Sequence, residues 1–225
     1  MIRLLTDPDV LMLKPPRDAA YEQNLKSDLM QNGCVNPILT WKGIIIDGHK
    51  RHKACLELNV PFSVTQKDFY SKNEAIVYAC ELELHQDDLP EPFRKYLLGK
   101  LVRAGTALAA EKYLAANPDL SLTAGGLLPH GAVRKGDVIA EIMEKHGSKR
   151  TTMNSYENFS IQIDDVRRKD FKLAEDILAE RIHVSLKLVT ELSRMPADEL
   201  RTFSAMLAEE NETQVTLARI KAAKG

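Results

Sequence analysis

The sequence changes character abruptly at Asp47-Gly48. Before this point Ile44–Ile46 is apolar and predicts a buried strand, and after it a basic segment predicts a helix. The first N–H groups of a helix lack partners within the helix, and the helix dipole attracts anions to that end. Gly48 lets the backbone approach a ligand closely, while Lys50 and Arg51 supply positive charge. The pattern predicts a phosphate or nucleotide site, although many ligand-free turns share it.

Short elements on both sides of this turn predict a small α/β domain. A hairpin turn at Trp41-Lys42-Gly43 joins the apolar strand to a strand over Pro37–Thr40, and a helix over Ala20–Gln31 ends at Asn32-Gly33. The other predicted elements of this part are strands at Val10–Leu13 and Phe62–Thr65 and helices at His49–Leu58 and Ser71–Leu84.

Strand signals vanish after Leu84, and the rest of the chain predicts helices. Apolar residues at helical spacing run from Leu97 to Leu114, and a stretch rich in Gly and Pro over residues 117–131 predicts a loop or linker. We therefore predict an α+β chain, with a small α/β domain over residues 1–88 and an all-α domain over residues 89–225.

Composition limits what the chain can bind and where it works. The formal net charge is −1, so nucleic-acid binding requires a local basic patch. Cys34, Cys55 and Cys80 are odd in number and lack C-x-x-C spacing, which argues against a disulfide framework or a zinc site. We expect no haem or flavin either. The sequence contains no secretory or membrane-spanning apolar run, which predicts a cytoplasmic protein without a membrane partner.

Two stretches of the predicted α/β domain resemble the N-terminal domain of ParB-like proteins. Asn32–Ile38 matches that family's pattern N-G-x-x-x-P-I, and Ile45–Ala54 matches its I-x-D-G-x-x-R-x-x-A. The resemblance implies the fold shared with sulfiredoxin and with ParB-like free-serine kinases, and a loop that holds the triphosphate of CTP. The phosphate contacts carried over by position are Gly48, His49, Lys50 and Arg51. Partition ParB proteins usually have Glu where this chain has His49.

The segment Ala79–Leu89 resembles the ParB pattern E-N-L-Q-R-x-D-L, whose Glu helps to hold a metal ion beside the nucleotide. In this chain Leu82 takes the Glu position and Glu83 the Asn position. Glu81 and Glu83 flank the Leu82 position and are the candidates to take over the acid's role at the site that the resemblance implies, for CTP or another nucleoside triphosphate with Mg²⁺. Carboxylates at i and i+2 lie on different faces of a helix and chelate poorly. A solvated helix end is the alternative, and no metal-ligand set is assigned.

A helix-turn-helix pattern lies at about residues 136–158. A helix over Asp137–Lys145 breaks at His146-Gly147-Ser148, and the next helix has Met153 and Tyr156 spaced to enter the core. The stretch resembles the ParB pattern G-x-S-x-S-T-V-x-x-Y. The side chains expected to face outward suit DNA recognition, because Arg can bind guanine or phosphate, Asn adenine, and hydroxyls either base or phosphate. They are Arg150, Thr151, Thr152, Asn154 and Ser155.

Basic side chains around this pattern are candidates for phosphate contacts, which would make DNA binding salt-dependent. They are Arg134, Lys135, Lys149 and Arg150, with Arg167-Arg168-Lys169 as a further candidate run. The last run is equally consistent with a solvated helix end.

Two later segments, Leu173–Ser185 and Val189–Pro196, resemble the ParB patterns A-x-x-I-L-x-G-K-I-x-I-S and V-x-E-L-S-R-L-P. We therefore interpret the chain as a DNA-binding protein of ParB type, in plasmid or mobile-element partition or in transcriptional regulation, with gating by CTP left open. The resemblance implies double-stranded DNA, a ParA-type ATPase and a second copy of the chain in a homodimer as partners. The alternatives are a CTPase or ATPase, a small-molecule kinase that uses the Gly48 loop, and a ParB-like nuclease.

Overall fold

A computed structural model describes residues 4–118, 132–147 and 149–223. Contacts divide the chain into an N-terminal unit, Met1–His85, and a C-terminal unit, Gln86–Gly225, whereas the sequence predicted a boundary after residue 88. Most of the predicted loop over residues 117–131, and the turn residue Ser148, lie outside the described residues.

The N-terminal unit combines helices with a three-stranded sheet. Its elements are α1 (Pro8–Leu11), α2 (Ala19–Asn32), β1 (Ile38–Trp41), β2 (Ile44–Asp47), α3 (His49–Leu58), β3 (Val64–Gln66) and α4 (Lys72–Leu84). The sheet order is β2-β1-β3, with β1 antiparallel to β2 and parallel to β3. The predicted hairpin is confirmed: Lys42 and Gly43 both have positive φ, at 48° and 79°, as a two-residue hairpin turn prefers.

The prediction of a strand over Val10–Leu13 was wrong, because this segment begins with a helical turn. Asp7 caps α1 by accepting a hydrogen bond from the Asp9 N–H, and Pro8 occupies the first helical position. Val10 and Leu13 are both buried while Leu11 is 43% exposed. A spacing of three between buried residues is helical, whereas a strand would alternate.

The C-terminal unit is built from helices. They are α5 (Glu91–Ala116), α6 (Lys135–His146), α7 (Arg150–Lys169), α8 (Phe171–Leu178), α9 (Leu186–Arg194), α10 (Ala197–Glu209) and α11 (Leu217–Ala223). The long helices α5 and α7 pack closely at Gly99, where an added Cβ would lie 2.1 Å from the Tyr156 carbonyl oxygen. Any larger residue at position 99 would push the two helices apart.

The mixed α/β N-terminal unit and the helical C-terminal unit confirm the predicted α+β class. Apart from helices, the described part of the C-terminal unit has an isolated β-bridge between His183 and Gln214. Among the described residues, no helix combines the length and apolar character that crossing a membrane requires.

Candidate functional site

The turn from β2 to α3 requires glycine at position 48 for two reasons. Gly48 has φ 92° and ψ 20°, a left-handed conformation that residues with a Cβ rarely adopt. A Cβ there would also lie 2.9 Å from Ile38 Cδ1 and 3.1 Å from Arg51 Nη2. Glycine therefore lets the turn adopt this conformation and pack closely against the Ile38 and Arg51 side chains at the start of α3.

The backbone at the start of α3 presents donors that the helix does not use. The hydrogen bond from the His52 N–H to the Gly48 carbonyl, at 2.8 Å, is the one that closes the first turn. The N–H groups of residues 49–51 precede it, and in the described residues no side chain caps the helix. This end of α3 has the geometry and dipole that an anion requires.

A cluster of four charged side chains lies beside the turn. Lys14 Nζ donates to Asp47 Oδ1 at 2.8 Å and to Glu83 Oε1 at 2.6 Å, and Arg51 Nη2 donates to Asp47 Oδ2 at 3.0 Å. The Lys14 and Glu83 side chains are only 10% and 4% exposed. Burial raises the pKa of Asp47, but Lys14 and Arg51 oppose it, and the net effect is a pKa below the usual 3.8. Asp47 is therefore ionised at neutral pH.

His49 is the first residue of α3 and is 9% exposed. Neither of its ring nitrogens has a hydrogen-bond partner among the described residues. Burial, with Lys14 as the next cause, lowers the pKa of His49 to about 4, so the ring is neutral at pH 7. A neutral imidazole offers one N–H donor and one acceptor. Unpartnered buried polar groups are rare in folded proteins, and a ligand atom of the right kind would satisfy this one.

The predicted basic phosphate contacts divide between two directions. Arg51 stays at the turn through Asp47 and also donates to the Pro37 carbonyl at 3.4 Å. Lys50 lies toward α2, with its Nζ 3.7 Å from the Glu22 carboxylate and 5.5 Å from the centre of the Tyr21 ring. The structure thus gathers Gly48, His49 and Arg51 at the turn and turns Lys50 away.

The two predicted acidic residues of α4 also differ in environment. Glu83 is buried and is joined to the turn through Lys14, while Glu81 is part-exposed. Leu82, at the position of the family's acid, is 37% exposed. The donors at the turn therefore suit a phosphate group, but the carboxylates do not suit Mg²⁺. Within the described ranges, no group of three His, Cys, Asp or Glu side chains is arranged to hold a metal ion.

Sequence reasoning missed Lys14, which joins the turn to α4. Its two carboxylate partners are 33 and 69 residues away along the chain, so no local pattern links them. The one local hint was that Lys14 directly follows Leu13, an apolar residue that is buried in the structure.

The second candidate region is the pair α6 and α7. Helix α6 ends at His146 with Gly147 as its C-cap, at φ 68°, and α7 begins at Arg150. Ile139, Ile142 and Met153 are buried, as the prediction of a buried face requires, while Tyr156 is only partly buried. On the other side Thr152 is half-buried, and the remaining predicted contacts of the second helix are exposed: Lys149, Arg150, Thr151, Asn154 and Ser155.

The flanking basic residues are only partly available. Arg134 is exposed, whereas Lys135 forms an ion pair with Glu157. At the far end of α7, Arg167 lies 3.5 Å from the Glu175 carboxylate, and Lys169 donates to the Ser193 and Met195 carbonyls. Those last two side chains are held within the unit and are neither solvated nor directed at a phosphate.

The C-terminal unit contains a buried polar network that sequence reasoning did not identify. Asp164 of α7 accepts hydrogen bonds from three side chains of α5: Tyr96 Oη at 2.7 Å, Lys100 Nζ at 3.0 Å and Arg103 Nη1 at 2.8 Å. Burial raises the pKa of Asp164, but the opposing effect of Lys100 and the three hydrogen bonds keeps it below 3.8. The network holds α7 in one position along α5.

Comparison with known proteins yields solved structures only. No protein-family profile and no curated protein sequence matches the chain. The chain is similar to one crystal form of a Pnob8-like ParB-N domain, with 13% identity over 89% of this chain and 85% of that one, and a TM-score of 0.49. It is also similar to a pNOB8-like ParB N-domain, with 14% identity over 98% and 91% and a TM-score of 0.47. Both are named as domains of the family that the sequence motifs resemble.

Proposed function

We propose that this chain is a DNA-binding protein of ParB type, acting in plasmid or mobile-element partition or in transcriptional regulation. The observation that carries the proposal is the pair α6 and α7, which meet at a left-handed Gly147 with an apolar face buried and a polar face exposed. In a helix-turn-helix the second helix enters the major groove, and the exposed polar face of α7 supports that role for this pair.

The exposed face of α7 carries the chemistry that base reading needs. Arg150 and Asn154 are four residues apart near the helix start, so they share one face. Arg can make two hydrogen bonds to guanine, and Asn two to adenine. Lys149 and Arg134 supply phosphate contacts, which a chain of net charge −1 must provide locally.

The partners of this function are double-stranded DNA, a second copy of the chain and, in partition, a ParA-type ATPase. A homodimer would read two half-sites one helical turn or more apart, so a selected site should be palindromic. Stimulation of a ParA-type ATPase would separate a partition role from a purely regulatory one.

The test begins with selection of bound duplexes from a random pool, followed by fluorescence anisotropy of the selected site at several salt concentrations. We expect Arg150→Ala to weaken binding by roughly 1–3 kcal/mol and to relax specificity at one position. Arg194→Ala is the matched control, because Arg194 is an exposed arginine at the end of α9 in the same unit and is not among the candidate DNA contacts. Equal affinity of wild type and Arg150→Ala for the selected site would remove α7 as the recognition helix.

A second function, nucleotide binding in the N-terminal unit, is favoured by the unpartnered His49 beside the Gly48 turn. The ligand would be CTP or another nucleoside triphosphate, with its phosphates at the α3 N-terminus. A change in DNA affinity on adding nucleotide would indicate gating. Release of phosphate, or transfer to serine, in the absence of DNA would instead indicate a CTPase, an ATPase or a kinase.

A further inference from the structure

The carboxylates at the Gly48 turn already form ion pairs with basic side chains of the same unit. Both oxygens of Asp47 accept hydrogen bonds, one from Lys14 and the other from Arg51. Glu83 binds the same lysine at 2.6 Å and is 4% exposed. Two carboxylates and two cations balance, so an added Mg²⁺ would have to displace Lys14. The displaced lysine would remain buried without its partners, which is strongly unfavourable.

The second acidic residue offers no better chelate. Glu81 and Glu83 are two positions apart on α4, about 200° around the helix, so both carboxylates cannot bind one ion. Leu82 occupies the intervening position and has no oxygen to offer. Protein-bound Mg²⁺ needs at least one or two carboxylates that can approach it directly.

The same surroundings accept an anion readily. The N–H groups that begin α3 have no acceptor within the helix, and because Lys14 and Arg51 balance Asp47 and Glu83, this cluster sets no net negative charge against an anion. The field of Lys14 that lowers the pKa of His49 also disfavours any second cation nearby. His49 therefore stays neutral and keeps an N–H group that can donate to an oxyanion.

We propose that the Gly48 turn binds a phosphate group without a divalent metal ion, and that the neutral His49 imidazole donates a hydrogen bond to it. The inference rests on the proposed phosphate or nucleotide site and specifies its chemistry. It also assigns a role to the histidine that stands where the family usually has a carboxylate, since an anionic side chain there would repel a phosphate unless a metal ion intervened.

The test is calorimetric titration of the full-length chain with inorganic phosphate, CTP and ATP, each in EDTA and again in Mg²⁺. The nucleotide arms and the phosphate arm distinguish a nucleotide site from a simple anion site. We expect at least one ligand to bind with a Kd that differs less than about threefold between EDTA and Mg²⁺. His49→Leu should weaken that binding roughly tenfold or more, because a hydrogen bond to a charged group is lost.

Two variants separate the role of His49 from a loss of folding. His49→Gln retains an uncharged donor and should keep most of the affinity, while His85→Leu removes an exposed histidine of the same unit and should have no effect. Binding that requires Mg²⁺ would overturn the inference and leave the nucleotide site standing. Unchanged binding by His49→Leu would overturn the role of the histidine. Failure of every ligand to bind wild type would overturn the inference and the nucleotide site together, while DNA binding would be unaffected.

Discussion

Each unit contains a buried cluster of charged side chains, but the two clusters differ in how fully their polar atoms are partnered. In the C-terminal unit Asp164 receives three hydrogen bonds, from Tyr96, Lys100 and Arg103. Its carboxylate is saturated, and the cluster acts as an anchor between two helices.

In the N-terminal unit the cluster of Lys14, Asp47, Arg51 and Glu83, with the nearby His49, includes buried polar atoms that have no hydrogen bond. Arg51 Nε and both ring nitrogens of His49 are buried without a hydrogen-bond partner in the described part of the chain. A buried polar group without a hydrogen bond is costly, so the fully bonded carboxylate of Asp164 fits a structural role. The unpartnered atoms beside the α3 N-terminus are what make the N-terminal cluster the candidate site. The difference separates a scaffold from a candidate site built of the same residue types.

The largest expected effect is the loss of the saturated cluster. Asp164→Ala leaves Lys100, which is 8% exposed, without its carboxylate, and should destabilise the C-terminal unit by about 3–5 kcal/mol. Urea denaturation followed by circular dichroism measures this loss. Trp41, the chain's one tryptophan, lies in the N-terminal unit, so its fluorescence transition is the internal control. An unchanged dichroism midpoint would show that the network is dispensable.

The second effect is a pH dependence in the N-terminal unit. The pKa of His49 is about 4 when folded against 6.5 when unfolded, so the unfolded state binds more protons between these values. The contribution of the neutral His49 ring to the free energy of unfolding is fully present above about pH 6.5. It decreases as the pH falls toward 4, by up to about 3 kcal/mol in total. His52, whose pKa burial also lowers, acts in the same direction. Asp164, with its pKa held below 3.8, contributes a loss only at still lower pH.

Urea titrations followed by Trp41 fluorescence, at neutral pH and near pH 4, measure this dependence. His49→Gln should remove most of the change in unfolding free energy with pH, because glutamine does not titrate. His52→Gln should remove a smaller part of that change. A pH slope identical in wild type and His49→Gln would contradict the assignment of a buried neutral histidine.

A third effect compares two glycines of the same unit. Gly48 and Gly43 both have positive φ, at 92° and 79°, but only an added Cβ at Gly48 meets other atoms within 4 Å. Each substitution by alanine should cost about 1–3 kcal/mol of strain, and Gly48→Ala should cost about 1 kcal/mol more from overpacking. Phosphate binding should be lost in Gly48→Ala alone. Equal phosphate binding by Gly48→Ala and Gly43→Ala would show that Gly48 is not needed for the phosphate site.

The smallest expected effect is the loss of an exposed ion pair, and it is the reference value against which the buried clusters are compared. Arg168 and Asp165 form an exposed pair three residues apart on α7, with side chains 74% and 32% exposed. Asp165→Ala should change the stability of the C-terminal unit by less than about 1 kcal/mol in the same dichroism assay. A loss as large as that of Asp164→Ala would mean that burial does not govern these clusters.

Local signals predicted much of this fold because they act over a few residues. The Ser71 cap accepts from the Glu74 N–H as expected, Gly33 and Gly147 end helices, and Lys42-Gly43 turns the hairpin. The error at Val10–Leu13 has the same origin: the cap and proline that precede it outweighed its strand-like composition.

The sequence by itself determined the order of the elements, the glycine at the turn and the polar face of α7, because each depends on neighbours within one or two helical turns. Tertiary structure alone decided that Lys14 balances Asp47 and Glu83, that Asp164 joins α5 to α7, and that His49 is buried and neutral. The partners of Lys14, and Asp164 with its partner Tyr96, are 33 to 69 residues apart in sequence. Only folding brings them together and removes the water that would otherwise screen their charges.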